Sequence, residues 1–258
     1  MEGSVAWVTG GIRGLGAQVV KVLAESGFHV AVNYRSSRKA AERLAGEVRA
    51  LGREILVLQG DVGRLEDVRR MAKEIRERWD RVDVLVCTAG PFLFRRIPAV
   101  ELTDRQWREM IDGNLSGVFY CVREVIPLMR RRRFGRIITF GFPEAENAPP
   151  WAGFSAYAAA KAGLVSFTRT LAEEEAPHGI TVNMISPGDI RDPYKEAPIG
   201  AARGKRDDRN PVGRPGTGGD IARVVRFLVD PDADFITGAV IPVTGGFDNR
   251  NFRLPGGD

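Results

Sequence analysis

The sequence predicts an α/β fold in which helices cover both faces of a parallel sheet. Strand-like runs, mostly apolar and β-branched, alternate with amphipathic helical segments along the chain of 258 residues. Continuous apolar strands of this kind are typical of parallel sheets that are buried on both faces. No Pro/Ser-rich linker divides the chain, so we predict a single doubly wound, Rossmann-type domain of about seven parallel strands flanked by helices over residues 1–248.

The predicted elements follow one another in regular alternation. Strands are predicted at 4–9, 28–34, 54–59, 82–87, 134–140, 179–185 and 239–243. Helices are predicted near 14–26, 37–51, 64–79, 104–131, 155–176 and 218–229. Residues 189–216 interrupt the alternation and are rich in Gly, Pro, Arg and Asp, which is typical of a lid or binding loop. Residues 249–258 are expected to form a C-terminal tail.

Composition and charge exclude several functional classes. The formal net charge is +5, and the densest basic run, 130–133, ends a predicted helix, where cations complement the helix dipole. Basic residues are not interleaved with aromatic ones, so we expect no nucleic-acid partner. Two cysteines and two histidines at no ligand spacing predict neither a disulfide nor a metal site. No stretch is apolar enough to span a membrane and no signal peptide precedes the first strand, so we expect a cytoplasmic protein without a membrane partner.

A glycine-rich loop follows the first predicted strand. Gly10, Gly14 and Gly16 stand between that strand and an amphipathic helix, with Arg13 and Leu15 in the same loop. Glycines allow a tight turn and the close approach of a pyrophosphate, whose charge is met by N–H groups at the helix N-terminus. The spacing is G-x-x-x-G-x-G and not G-x-G-x-x-G. Its position directly after an N-terminal strand nevertheless predicts a dinucleotide site.

Tyr157 and Lys161 stand four residues apart in a predicted helix and therefore share one face of it. A nearby ammonium group is expected to lower the pKa of the phenol from its usual value of roughly 10. A tyrosine tuned in this way can give a proton to a carbonyl oxygen near neutral pH, or take one from an alcohol.

Five motifs occur in the order and spacing of one enzyme family. They are the loop from Thr9 to Gly16, Ala89-Gly90, Asn114, Tyr157-x-x-x-Lys161 and Pro187-Gly188. Over residues 4 to 246 the chain therefore resembles the short-chain dehydrogenase/reductase family. Segments 135–139, 157–163 and 179–183 are most similar to the 3-oxoacyl-carrier-protein reductases. The resemblance implies oxidoreductase activity with a nicotinamide dinucleotide.

The end of the second strand predicts NADP(H) as the cofactor. An NAD site places a carboxylate there for the ribose 2′-hydroxyl, whereas an NADP site uses cations for the 2′-phosphate. This chain has Asn33, Tyr34 and Arg35 at that point, and Arg13 can reach the same corner. Guanidinium groups suit phosphate oxygens, so the absence of a carboxylate favours NADP(H).

The resemblance implies further cofactor-binding residues. Asp61, with Val62 after it, resembles the family's adenine-contacting Asp, and Ala89-Gly90 resembles a family turn whose asparagines are here Cys87 and Thr88. The residues expected at the cofactor are Gly10, Arg13, Gly14, Leu15, Gly16, Asn33, Tyr34, Arg35, Asp61, Val62, Ala89, Gly90, Tyr157, Lys161, Pro187, Gly188 and Ile190.

The resemblance also implies a catalytic set with one member altered. Asn114 is expected to order a water relay, Tyr157 to act as the acid/base and Lys161 to assist it and bind the nicotinamide ribose. The family's substrate-binding serine has no clear counterpart. Alignment of the fifth strand puts Phe142 there, whereas counting back from Tyr157 reaches Glu144, and the pteridine reductases carry an acidic residue at that position.

Three functional hypotheses follow from these residues. The first is an NADP(H)-dependent reductase of a ketone, similar to the 3-oxoacyl-thioester reductases, with a small-molecule or acyl-thioester carbonyl substrate. The second is a pteridine-reductase-like enzyme that uses Glu144. The third is a nucleotide-binding relative with little turnover that acts as a sensor or partner subunit. Family members pair through the long helices, so we expect a homotetramer or homodimer.

Overall fold

Seven parallel strands form one sheet in the computed structural model, which describes residues 3–247. The strands are β1 (Val5–Thr9), β2 (His29–Tyr34), β3 (Ile55–Gln59), β4 (Val84–Cys87), β5 (Gly135–Phe140), β6 (Ile180–Pro187) and β7 (Val240–Val243). Their order across the sheet is β3-β2-β1-β4-β5-β6-β7. The predicted fold class is confirmed. The tail predicted at 249–258 lies outside the described residues.

Helices cover both faces of the sheet. They are α1 (Gly14–Glu25), α2 (Arg38–Ala50), α3 (Leu65–Trp79), α4 (Asp104–Ile111), α5 (Gly117–Arg132), α6 (Ser155–Glu175) and α7 (Gly218–Leu228). Helices α1, α2 and α7 share one apolar core with the sheet, and α3, α5 and α6 share the other. Burial on both faces explains why the strands are apolar at nearly every position.

The direction of winding reverses at β1, which lies between β2 and β4. Thr9 at the end of β1 pairs with Cys87 at the end of β4, so both strands finish at the same edge of the sheet. In doubly wound sheets the ligand crevice lies outside the carboxyl ends of the strands at this reversal. The strand order alone therefore indicates that a ligand site lies at the carboxyl ends of β1 and β4.

The long helix predicted over 104–131 is interrupted in the structure. A π-helical turn, Asp112–Ser116, separates α4 from α5. Such a turn adds a residue to the helical repeat and often marks a functional site. It carries Asn114, which is completely buried. The sequence pattern did not reveal this turn, because one extra residue barely changes the spacing of the apolar positions.

The segment predicted as a lid contains two short 3₁₀ helices, Tyr194–Glu196 and Ile199–Ala202. It packs between the first turns of α1 and α7. The Gln18 side chain donates to the Glu196 carbonyl at 2.6 Å, and the Gly219 N–H donates to the Ala197 carbonyl at 3.0 Å. The function of this segment as a lid stays a prediction.

Association of two or four copies also stays a prediction. Phe119 on α5 is 41% exposed, and its ring lies 6.2 Å from that of Phe167 on α6.

Within residues 3–247, no helix is long and apolar enough to cross a membrane. The same residues contain no cluster of three His, Cys, Asp or Glu side chains that could hold a metal ion.

Asp83, directly before β4, joins the amino ends of the central strands. One carboxylate oxygen accepts the Val5 N–H at 2.7 Å, and both oxygens accept hydrogen bonds from Arg81 at 2.8 Å. Arg132 at the end of α5 lies 3.5 Å away. A buried carboxylate is stable only with such partners, so Asp83 fixes β1 beside β4.

We expect Asp83→Asn to lower the free energy of unfolding by about 1–3 kcal/mol, because the new amide N–H faces Arg81 where an acceptor is needed. Asp80→Asn is the matched control, since Asp80 is exposed and its carboxylate pairs with the exposed Arg131 at 3.0 Å. Its effect should stay within about 0.5 kcal/mol. Urea unfolding of both variants measures the difference, and equal effects would contradict the role given to Asp83.

Candidate functional site

A cleft of about 1230 Å³ opens at the carboxyl ends of the central strands. Its walls come from the glycine loop, the turns after β2, β3 and β4, and the α4 side of the sheet. The predicted cofactor residues that line it are Gly10, Arg13, Gly14, Leu15, Gly16, Asn33, Tyr34, Arg35, Asp61, Val62, Ala89 and Gly90. The structure thus brings together residues that are far apart in the sequence.

The glycine loop presents a backbone donor to an anion. Gly14 begins α1 with φ of +59°, a left-handed conformation that glycine adopts without strain. Its N–H donates to Glu196 Oε1 at 2.9 Å, and Arg43 lies 3.3 Å from the other oxygen of that carboxylate. A carboxylate on this N–H shows that the loop accepts negative charge, as a pyrophosphate site requires.

Arginines occupy the end of the cleft next to β2. Arg35 Nη1 lies 3.7 Å from Asp61 Oδ2 and 3.8 Å from Glu109 Oε1, and Arg13 is exposed at the rim. Exposed pairs at these distances contribute little free energy and are easily exchanged for a phosphate. Binding of a 2′-phosphate by these arginines stays a prediction.

Asn33 has a second role that the sequence did not reveal. Its side-chain oxygen accepts the Gly10 N–H at 2.8 Å, and its side-chain nitrogen donates to the Gly60 carbonyl at 2.9 Å. Both functional groups of the amide are used to join the glycine loop to the turn after β3. A contact between Asn33 and the cofactor stays a prediction.

Gly90, Asn114 and Lys161 meet at the inner end of the cleft. A Cβ at Gly90 would lie 2.4 Å from Asn114 Oδ1 and 3.6 Å from Lys161 Nζ, so only glycine fits there. The Asn114 amide nitrogen donates to the carbonyls of Pro91 and Met110. Its oxygen is buried and accepts no hydrogen bond from the described residues, which leaves an acceptor for a water molecule or a ligand hydroxyl.

Lys161 is buried beside Tyr157, but the two side chains interact differently from the expectation. Lys161 Nζ donates to the Phe140 carbonyl at 2.7 Å and lies 5.6 Å from the centre of the Tyr157 ring. Burial lowers the pKa of Lys161 from 10.5 to about 8. Burial also raises the pKa of Cys87, a thiol near Lys161, to about 12, and the charge of Lys161 partly opposes that rise.

The expectation that Lys161 lowers the pKa of Tyr157 is wrong for this structure. Burial raises the Tyr157 pKa above its ordinary value of 10. Phe92 and Trp151, from two separate loops, pack edge-on against the ring with centroids at 4.9 and 6.0 Å. These rings remove the water that would stabilise a phenolate. This effect could not be predicted, because the spacing of Tyr157 and Lys161 carries no information about distant loops.

Phe142 and Glu144 lie differently with respect to Tyr157. The buried Phe142 ring is centred 6.1 Å from that of Tyr157. Glu144 has a left-handed backbone with φ of 63°, and its carboxylate forms no hydrogen bond or ion pair within the described chain. Of the two residues, Phe142 therefore gives Tyr157 an aromatic neighbour. Which of the two residues corresponds to the family's serine stays a prediction.

Several predicted cofactor residues do not line the cleft. They are Tyr157, Lys161, Pro187, Gly188 and Ile190. Lys161 approaches the cleft from behind Gly90, whereas Ile190 is buried in the core shared by α1 and α7. The cofactor contacts of these residues stay predictions.

Four further cations that sequence reasoning missed line the cleft: Arg64, Arg105, Arg108 and Lys195. Lys195 is the lining residue that the lid segment contributes, and its ammonium group lies 3.5 Å from Asp192. Arg64 follows Asp61 closely and could have been suspected from the sequence. Arg108 and Lys195 carried no usable signal, since neither lies in a recognisable motif.

Known proteins resemble the chain along almost its whole length. A family model described as enoyl-(acyl carrier protein) reductase matches residues 10–248. YtkK of Bacillus subtilis (strain 168), provisionally assigned as an oxidoreductase, is 45% identical over 95% of this chain and 98% of its own length. The 3-oxoacyl-[acyl-carrier-protein] reductase FabG of Staphylococcus epidermidis (strain ATCC 12228 / FDA PCI 1200) is 38% identical over 93% of this chain and 97% of its own.

Solved structures agree with this similarity. A Bacillus thuringiensis protein, provisionally assigned as a 3-oxoacyl-reductase, superposes with a TM-score of 0.90 at 43% identity, covering 95% of this chain and 98% of that one. A blue fluorescent protein from a metagenomic library, solved in complex with NADPH, gives a TM-score of 0.82 at 34% identity, with coverage of 95% and 98%.

The fold, the cleft and these matches define an oxidoreductase that uses a nicotinamide cofactor. The chain belongs to the short-chain dehydrogenase/reductase family. The resemblance read from the sequence motifs is thereby confirmed.

The lowered pKa of Lys161 makes the stability of the fold depend on pH. Between about pH 8 and 10.5 the unfolded chain holds the Lys161 proton and the folded chain does not, so stability rises with pH in that window. We expect the unfolding free energy of the native chain, relative to that of Lys161→Met, to rise by about 1–2 kcal/mol from about pH 7.5 to 9.5. Urea unfolding at several pH values measures this difference.

Lys195→Met is the control, because Lys195 is partly exposed and should leave the pH dependence in that window unchanged. Parallel curves for the native chain and Lys161→Met would show that Lys161 titrates like an exposed lysine.

Proposed function

We propose that the chain is an NADP(H)-dependent reductase of ketones, similar to the 3-oxoacyl reductases. The observation that carries the proposal is the meeting of Asn114 and Lys161 behind Gly90, at the inner end of a dinucleotide-type cleft whose outer end holds arginines. Tyr157 lies one helical turn before Lys161, with its ring centre 5.6 Å from the Lys161 ammonium group. The names of the FabG relatives and of the Bacillus thuringiensis neighbour support a ketone as the substrate. The NADPH complex of another neighbour supports the cofactor.

The described residues fit each part of the cofactor. The N-terminus of α1, with Gly14 and Leu15, is suited to the pyrophosphate. Arg13 and Arg35 are suited to the 2′-phosphate, because guanidinium groups form paired hydrogen bonds to phosphate oxygens. Asn114 Oδ1 and Lys161 Nζ, which meet behind Gly90, are suited to ribose hydroxyls or an ordered water. When bound, the nicotinamide supplies the hydride.

Tyr157 is the proton donor in this proposal. Its phenol stays protonated at neutral pH, because burial raises the pKa, and it is therefore ready to give its proton to the carbonyl oxygen as the carbon is reduced. Lys161 holds positive charge beside the phenolate that remains, and its pKa of about 8 lets it return a proton near neutral pH.

Neither alternative hypothesis has a specific observation in its favour. A pteridine-reductase-like enzyme would need Glu144 at the reacting groups, yet its carboxylate contacts no donor in residues 3–247. A relative without turnover would be expected to have lost Tyr157 or Lys161, and both are present.

A panel of ketones, β-ketoacyl thioesters and dihydropteridines with NADPH distinguishes the three functional hypotheses. Binding of NADPH without any turnover would favour the non-catalytic relative.

We expect NADPH to bind more tightly than NADH by about 1–3 kcal/mol, the range of charge-assisted hydrogen bonds to a phosphate. Fluorescence titration of both cofactors measures this preference. Arg35→Gln should narrow it, whereas Arg49→Gln, on an exposed arginine at the far end of α2, should leave it unchanged. Equal affinity of the native chain for the two cofactors would overturn the NADP(H) assignment.

We expect Tyr157→Phe to lower turnover by about 10²–10⁴-fold, the usual contribution of a general acid, while NADPH binding stays nearly unchanged. The substitution removes only the hydroxyl, and the aromatic neighbours of the ring remain. Stopped-flow or steady-state oxidation of NADPH with a reactive ketone measures the loss. Turnover close to the native value would exclude Tyr157 as the acid.

Glu144→Ala tests the rival acid in the same assay. It should leave turnover within about twofold, because Glu144 is given no role in proton transfer. A strong loss in Glu144→Ala with a smaller loss in Glu144→Gln would instead support the pteridine-reductase-like mechanism.

A further inference from the structure

We infer that the ketone carries an aromatic or conjugated group next to its carbonyl, and that an aromatic wall beside Tyr157 receives this group. The inference rests on the proposed function, because it names the substrate class of the same site. The aromatic wall consists of Phe92, Phe94, Phe142, Trp151 and Phe154.

Three rings of the wall pack against Tyr157. The centroid distances are 4.9 Å for Phe92, 6.0 Å for Trp151 and 6.1 Å for Phe142. All three lie in the range of favourable aromatic pairs. A carbonyl that accepts a proton from Tyr157 brings its substituents close to these rings.

The wall is held rigid by contacts between the two loops that form it. The Ile97 N–H donates to the Gly153 carbonyl at 3.0 Å, and Arg96 Nη1 donates to the Ala152 carbonyl at 2.8 Å. The Arg96 guanidinium also lies 5.3 Å above the Phe154 ring. A surface fixed in this way loses little conformational entropy when a flat ligand packs on it.

Phe94 forms the open edge of the wall. Its side chain is 68% exposed, and its ring meets Phe92 edge-to-face at 5.1 Å. Phe92 in turn stacks on Phe154 at 5.2 Å with an angle of 15° between the rings. The wall therefore runs from a buried ring out to an exposed one, and the exposed end offers a phenyl face where a substrate ring can pack.

The wall offers the substrate packing rather than hydrogen bonds. A phenyl ring such as that of Phe142 cannot donate a hydrogen bond to the carbonyl oxygen. Each favourable aromatic pair contributes about two- to twelvefold in binding beyond its buried area. A saturated acyl chain gains the buried area but not this additional term, so the wall favours aryl ketones over aliphatic ones.

Paired binding measurements with acetophenone and cyclohexyl methyl ketone test the inference, since the two ketones have the same carbon skeleton and differ in the aromatic ring. Dissociation constants are measured by ligand-observed NMR on the native chain with NADP⁺, which cannot donate a hydride. We expect acetophenone to bind about 3- to 10-fold more tightly. The same pair is then compared as substrates with NADPH.

Phe94→Leu keeps an apolar side chain but removes the ring, and it should reduce the preference to less than about twofold. Phe119→Leu is the matched control, because Phe119 is an exposed phenylalanine on α5, away from the wall, and the preference should survive. Thermal unfolding of both variants confirms that the fold is retained.

Equal or reversed affinities in the native chain would overturn the inference, as would failure of both ketones to bind. A preference that survives Phe94→Leu would exclude Phe94 from the binding surface and overturn the wall as described. Failure of the proposed function looks different. In that case the aryl preference is present in the binding data, but no ketone is reduced with NADPH.

Discussion

The buried ammonium group of Lys161 is the constraint on which the site depends. It lies between the end of β5, whose Phe140 carbonyl accepts its hydrogen bond at 2.7 Å, and the Gly90 turn after β4. A cation in this position needs partners on every side, because burial without them is costly. The hydrogen bond to Phe140 joins α6 to the end of β5, and Tyr157 lies one helical turn earlier on α6, with its ring centre 5.6 Å from the ammonium group.

The lid segment and the glycine loop meet through charge. Glu196 contacts both the first N–H group of α1 and Arg43 on α2, while Lys195, its neighbour in the chain, lines the cleft. Adjacent residues of the lid thus carry opposite charges, one on the glycine loop and the other at the wall of the cleft. The segment is held both by these polar contacts and by apolar packing, since Ile190 is buried and Tyr194 packs against the core shared by α1, α2 and α7.

The fold and the outline of the site could be predicted because they depend on local patterns. Alternating apolar runs specified seven strands and their parallel pairing, and the spacing of Tyr157 and Lys161 on one helix specified their proximity. Contacts between distant segments could not be predicted. The pKa of Tyr157 depends on Phe92 and Trp151, which no periodicity connects to it. The π-helical turn at Asn114 and the contact of Glu196 with Gly14 depend on tertiary packing in the same way.

Both cysteines of the chain, Cys87 below Lys161 and Cys121 on α5, are buried, and burial raises the pKa of each. Oxidants and alkylating reagents attack the thiolate and need access to it. Neither thiolate formation nor access of the reagent is favoured while the chain is folded. Labelling of these thiols therefore has to wait for the core to open, so its rate reports the kinetics of unfolding and makes the two cysteines built-in reporters of conformational opening.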